Sequence, residues 1–190
     1  MPSQVMCQLA FTQCGATWLA GILYKNMISA SSPTPTALRA ALGLFATGVT
    51  IVTTRASDGS MIGLTANSFN AVSLTPPLVL WSIGLKAGSL QAFLQAKHYA
   101  IHVLAVEQQN LAERFASKMV DRFDGLSFKE GAGGTPLLQG CSAVFECMSR
   151  SQYPEGDHVI LVGEVLACQH DATRAPLLFH GGKFYTEHPL

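Results

Sequence analysis

Val49-Thr50-Ile51-Val52-Thr53-Thr54-Arg55 is a run of β-branched residues, and Ser57-Asp58-Gly59-Ser60 comes just after it. The run reads as a strand and the Asp-Gly pair as a tight hairpin turn. Residues 61–72, which begin Met61-Ile62-Gly63-Leu64, alternate loosely and are expected to return as the partner strand. Pro76-Pro77 then breaks the chain, and the apolar run over 78–83 predicts a buried strand.

The same reading extends outward. On the N-terminal side, residues 36–45 place Leu38, Ala41, Leu42 and Phe45 at helical spacing, with Thr36 as cap and Gly48 as terminator. On the C-terminal side the pattern predicts helices over 89–96 and 107–118, and strands over 99–104, 142–149 and 158–168. Two short strands are expected over 176–179 and 183–185, and residues 121–134 read as a polar loop. Hairpins dominate, and strands do not alternate regularly with helices. A doubly wound parallel sheet is therefore disfavoured, and the expected fold is mainly β, an antiparallel barrel with flanking helices.

Composition narrows the function classes. The 190 residues carry 12 Lys+Arg against 12 Asp+Glu, and charged residues are 13% of the chain. That is about half the roughly 25% usual for soluble domains. With 48% hydrophobic residues, the chain is too apolar for disorder. It also lacks the basic excess of a protein that grips nucleic acid through phosphates. Low charge leaves little colloidal repulsion, which suggests an apolar face hidden by self-association.

Lys25 is the only charged residue before Ala37. A boundary is expected in the Ser-Thr-Pro stretch at 31–36. Residues 1–36 form an extension and linker of uncertain role, and residues 37–190 form the main domain. The extension has no basic n-region and no apolar run near 20 residues, so neither a secretory signal nor a membrane span is expected. A weak amphipathic helix around Trp18, Leu19, Ile22 and Leu23 is compatible with its pattern. The five cysteines include no Cys-x-x-Cys pair, which argues against a disulfide framework and fits a reducing cytoplasm. Cys141 and Cys147 read as small core hydrophobes.

Several sites are missing from the sequence. The glycines of Gly131-Ala132-Gly133-Gly134 run into Thr135-Pro136, so they make a loop and not a dinucleotide turn. There is no P-loop, nucleophile elbow, zinc-protease motif or paired-carboxylate constellation. His98 and His102 are four apart on an expected strand with no third ligand, and a partly buried edge position is the reading for them.

Four constellations could carry chemistry. Over residues 63–77, small and polar residues interrupt a strand: Gly63 and Ala66 allow close backbone approach, and Thr65, Asn67 and Ser68 supply donors and acceptors, which suits a flat heterocycle with several ring heteroatoms. The alternative is an ordinary edge strand with solvated polar groups. Lys86-Ala87-Gly88-Ser89 precedes a helix and suits a phosphate, or else is a plain cap. Gly156-Asp157-His158 offers a His fixed by a carboxylate at a strand mouth, or else a solvated turn. In Asp121-Arg122-Phe123, Arg122 could pair with a phosphate and Phe123 could cover a ring, or the segment is a helix end with a favourable cation.

Taken in order, these segments resemble the flavin reductase family, the short FMN-binding split barrels that serve as reductase components of two-component flavin monooxygenases. The resemblance rests on residues 45–54, 63–69 and 72–80. It also rests on Phe115-Ala116 with Asp121-Arg122-Phe123, on Gly156-Asp157-His158 with Gly163, and on Pro176-Leu177-Leu178. It implies a cytoplasmic homodimer that uses FMN or FAD with NADH or NADPH, serves a separate monooxygenase, and binds neither nucleic acid nor membrane. Thr65, Ala66, Asn67 and Ser68 would hold the isoalloxazine edge and ribityl chain, Ser82, Lys86 and Ser89 the phosphate, and Phe123 a ring face. His158 would meet the nicotinamide as the catalytic contact. A flavin-binding electron carrier or oxidase of the same fold is the alternative.

Overall fold

The computed structural model describes residues 32–118 and 121–187. The Trp18 helix falls outside them. The contact pattern divides the chain between Leu38 and Arg39, and every strand lies in the second unit. The elements are α1 (Pro35–Leu42), β1 (Thr47–Gly48), β2 (Thr50–Arg55), β3 (Met61–Ala66), β4 (Asn70–Leu74), β5 (Pro77–Gly84), α2 (Leu90–Gln95) and β6 (His98–Val103). There follow α3 (Gln109–Ala116), β7 (Phe128–Glu130), β8 (Pro136–Leu138), β9 (Ala143–Glu155), β10 (His158–His170), β11 (Leu178–His180) and β12 (Lys183–Tyr185).

A seven-stranded antiparallel sheet in the order β3-β2-β6-β9-β10-β5-β4 forms the body. The first hairpin stands as read, with Thr50 opposite Ala66 and Arg55 opposite Met61. The return strand, however, is two strands. It ends at Ala66, crosses from one edge of the sheet to the other through Asn67-Ser68-Phe69, and resumes as β4. β4 pairs only with the Pro77–Leu80 half of β5, so residues 81–84 keep an open edge on that side. Ser68 spans this gap. Its Oγ accepts from the Ser82 N–H at 2.9 Å and donates to the Ser82 carbonyl at 3.2 Å. A side chain thus does at the seam what a ladder does elsewhere, and the barrel is split there.

Two other expectations change. Residues 121–134 are not all loop, because β7 lies among them and pairs with β8. Three residues are too few to show a period. His98 and His102 sit on β6, which runs between β2 and β9, not at an edge. His102 is fully buried. Its Nδ1 lies 3.0 Å from the Ile51 carbonyl, and its Nε2 accepts from the Leu138 N–H at 3.0 Å. The ring is therefore a neutral clamp from β2 to β8, and burial pushes its pKa down to about 4.

Two apolar clusters fill the unit. Inside the barrel, Trp81 packs edge-on against Phe93 and Tyr99. Cys147 lies in this cluster, and Cys141 lies in the second, beneath α3. Burial raises both thiols, to about 12 and about 11 respectively. In the second cluster Phe115 and Phe123 meet at 5.0 Å, nearly perpendicular. Gly63 makes that packing feasible, since a Cβ there would lie 2.5 Å from Phe115 Cε1. The sequence suggested that Gly63 admits a ligand to the backbone; it admits a phenyl ring.

Candidate functional site

The site lies at the seam. β3 is an edge strand, so alternate N–H and C=O groups face the opening and not a neighbouring strand. Arg122 Nη1 donates to the Gly63 carbonyl at 2.8 Å, which marks the open edge. The period of two places the backbone of Thr65 on that same edge. The Thr65 side chain faces elsewhere and donates to the Ala112 carbonyl at 2.6 Å, tying β3 to α3.

Thr65, Ala66, Asn67, Ser68, Ser82 and His158 line one cleft of about 280 Å³. Six of the expected residues, far apart in sequence, thus converge on one opening. Gly84 and Ala87 complete its wall. Ser89 and Phe123 line an adjoining lobe of about 470 Å³, which shares Leu64, Thr65 and Ala87 with the first. Phe123 is buried between Phe115 and Phe128, edge-on to both. It is therefore part of the lobe's floor and not a free cover for a ring.

His158 opens β10 beyond a two-residue turn, since Glu155 pairs with His158. Gly156 has φ +59°, the sign that a first-position glycine supplies in a II′ turn. The His158 ring, half exposed, lies beside Gly84, with Nε2 3.6 Å from where a Gly84 Cβ would stand. Its Nδ1 is 2.7 Å from Asp157 Oδ1. The hydrogen bond to His158, then the His158 charge, hold the Asp157 carboxyl below its ordinary range, with a smaller push from Lys86. An ionised Asp157 can only accept, so the contact is made by an Nδ1–H donor, and Nε2 points away from Asp157. Lys86 itself lines neither this cleft nor the adjoining lobe, whereas its neighbour Ala87 lines both.

Donor chemistry tests the fit to a flavin nucleotide. The first cleft offers edge backbone groups, the Asn67 amide, Ser hydroxyls and one imidazole, and Lys86 precedes Ala87 of its wall in the chain. No cluster of metal ligands occurs among the described residues. This set suits the polar edge of a heteroaromatic ring with a phosphate tail, and the residues present fit that group.

The model of the flavin reductase like domain matches residues 42–188. The chain belongs to the flavin reductase-like domain family. An FMN reductase (NADH) of Agrobacterium fabrum is 46% identical over 146 residues, covering 77% of this chain and 82% of that protein. The reductase component of a flavin-dependent trigonelline monooxygenase from Acinetobacter baylyi is 44% identical over 128 residues, 67% of this chain and 41% of that protein. Among solved structures, the NADH:FAD oxidoreductase of Streptomyces globisporus, in complex with NAD and FAD fragments, superposes with a TM-score of 0.78. It is 38% identical, and the match covers 85% of this chain and 98% of that one. The split-barrel expectation and the flavin reductase reading agree with these relatives.

Sequence reading did not find Ala87 and Gly84, whose role is to be small. It also missed the brace from Arg122 to Gly63. Nothing in the spacing of residues 63 and 122 signals that contact.

Proposed function

We propose that this protein is an NADH-dependent flavin reductase that supplies reduced flavin to a separate flavin-dependent monooxygenase. One observation carries the reading: the open edge of β3, the Ser68–Ser82 seam and His158 face one cleft. When bound, the flavin accepts hydride from the nicotinamide, and the cofactors carry that chemistry. The chain's part is to bind and orient. Backbone groups at Thr65, Ala66, Asn67 and Ser68 hold the polar ring edge, with the Asn67 amide and the Ser82 side beside them. Lys86 and Ser89 neutralise and cap the phosphate. His158 Nε2, oriented by the Nδ1 contact with Asp157, meets the nicotinamide carboxamide. No titrating base is needed, because hydride passes directly between the two cofactors.

The proposal includes a cytoplasmic homodimer. Leu74 on edge strand β4 is 92% exposed, and Leu44 and Phe45 are also largely exposed. Self-association would bury such apolar side chains. No helix among the described residues is long and apolar enough to cross a membrane.

The test is to mix purified protein with NADH and excess FMN and follow loss of the reduced-nicotinamide absorbance. Flavin-dependent oxidation is expected. Failure with both NADH and NADPH, whether FMN, FAD or riboflavin is supplied, would sink the reading. A yellow protein without turnover would point to a flavin carrier instead.

A further inference from the structure

Gly163 lines neither the cleft beside His158 nor the adjoining lobe. We infer that the corner where β9 and β10 bend, with the Tyr99 hydroxyl set against Gly163 inside it, fixes the width of the cleft. Tyr99 and Gly163 are then positioning residues for the rings that stack there. On the reading above those rings are the flavin and the nicotinamide, and the inference rests on that reading for its effect on turnover.

The width of the cleft is not set across it. β3 and β5 are joined by no ladder, and the Ser68 side chain spans the gap to Ser82. The two strands are connected the long way round the sheet, through β2, β6, β9 and β10. The opening therefore depends on how far that sheet curves. The ladders β3–β2, β2–β6, β6–β9 and β10–β5 run without a shift. The β9–β10 ladder shifts twice. Arg150 is the extra residue on β9 between Ser149 and Ser151, and Leu166 is the extra residue on β10 between Val165 and Ala167. A bulge bends its strand and sharpens the twist, so the curvature is concentrated at this corner.

Two contacts hold the corner. On the outside, Arg150 Nη1 donates to Glu164 Oε2 at 2.9 Å and clasps the extra residue of β9 to β10. On the inside stands the Tyr99 phenol. A Cβ on Gly163 would overlap the Tyr99 hydroxyl, and it would lie 2.8 Å from Tyr99 Cζ and 3.1 Å from Cys147 Cβ. Tyr99 is buried, and its hydroxyl has no hydrogen-bond partner. Burial raises the pKa of the phenol, and the Trp81 indole offsets only part of that rise, so the group stays neutral. A buried hydroxyl without a partner costs stability that phenylalanine would recover. What it supplies is bulk, an inner stop on which β10 rests at its bend. The same ring packs edge-on against Trp81, the residue before Ser82 of the seam. One side chain thus touches the corner and backs the wall of the cleft.

Tyr99→Phe removes the stop without removing a hydrogen bond. The first readout needs neither flavin nor nicotinamide. Amide hydrogen exchange is followed by NMR on flavin-free protein at Ser82, whose N–H is held across the gap by Ser68 Oγ. The reference is Leu104, whose N–H donates to the Val49 carbonyl at 3.0 Å, away from the corner. Ser82 should exchange about threefold to tenfold faster, with Leu104 within about twofold of wild type and the melting point not lowered. The second readout is the rate at which NADH bleaches FMN-loaded protein on rapid mixing without oxygen. It should fall about tenfold, short of the roughly hundredfold that a misplacement of about 1 Å can cost. Unchanged Ser82 exchange overturns the inference. So does equal acceleration of Ser82 and Leu104, which would make Tyr99 a core contact only. Faster Ser82 exchange with bleaching at the wild-type rate overturns it too, because the width would then not matter to the rings. If Tyr99→Phe loses its folded transition, Arg150→Gln decides by the same readouts, since it opens the outer clasp at an exposed ion pair of little weight in stability. Failure of the reductase reading shows differently. Wild type would then leave NADH unoxidised, while Ser82 exchange would still separate it from Tyr99→Phe.

Discussion

Replacing Gly63 by Ala puts one methyl group where the barrel wall meets helix α3. The new carbon would stand 2.5 Å from Cε1 and 2.8 Å from Cδ1 of Phe115, and 3.2 Å from Cζ of Phe123. Carbon atoms pack comfortably at about 3.5–4.0 Å, so the nearest overlap is about 1 Å. Phe115 is 1% exposed and held edge-on by Phe123, so its ring has nowhere to swing. The strand and helix must separate. Overpacking of this kind costs about 1–3 kcal/mol. For a unit of this size each kcal/mol moves the melting point by about 2–4 °C, so a fall of about 2–12 °C is expected. Separation also stretches the Thr65–Ala112 and Arg122–Gly63 hydrogen bonds, so flavin affinity should fall with stability. The assay is thermal unfolding followed by circular dichroism, with flavin titration on the same preparation. Gly88→Ala is the control, because a Cβ there meets nothing within 4 Å, and its stability should stay within about 0.5 kcal/mol of wild type. If Gly63→Ala melts with the wild type and binds flavin equally well, the packing argument is wrong.

Other perturbations follow from the same contacts. The buried neutral His102 has its pKa lowered to about 4 from 6.5, so between those values the unfolded chain binds a proton that the folded chain refuses. Stability should therefore be full above about pH 6.5 and fall by about 3 kcal/mol as the pH drops toward 4. Denaturant unfolding across that window should show this slope in wild type and a flatter one in His102→Gln, which starts from lower stability. Cys141 and Cys147, buried with raised pKa, should resist iodoacetamide in the native protein while exposed Cys168 reacts, as peptide mass mapping will show. Asp157→Asn frees the His158 tautomer and should raise the NADH KM severalfold with flavin affinity unchanged; an unchanged KM would remove Asp157 from that role. Lys86→Ala should weaken FMN more than riboflavin, and equal losses in a flavin titration would take Lys86 off the phosphate.

The strand-turn-strand at residues 50–66 was legible because β-branched residues and an Asp-Gly turn are local signals. The cleft-lining residues were legible for a different reason. Thr65, Asn67, Ser68 and His158 are polar groups in a β-rich frame, where a buried strand alone has no use for them. What stayed hidden depends on long-range contacts. His102 reads as an edge residue until Ile51 and Leu138 are seen on either side of it. Residues 67–69 read as mid-strand, since only the position of β5 shows that the chain must change edges there. Phe123 reads as a ring cover because nothing local reveals Phe115 and Phe128 around it.

The Ser68–Ser82 contact has a bearing on how such a protein diverges. Elsewhere in the sheet, widening the wall would mean breaking a ladder, with several backbone groups losing partners together. At the seam the wall is one hydroxyl, and replacing it disturbs two hydrogen bonds to a single residue. Descendants can therefore change the shape of the opening one side chain at a time while the barrel keeps its register. The seam is the place where new ligands are most easily explored, by mutation in nature or by design.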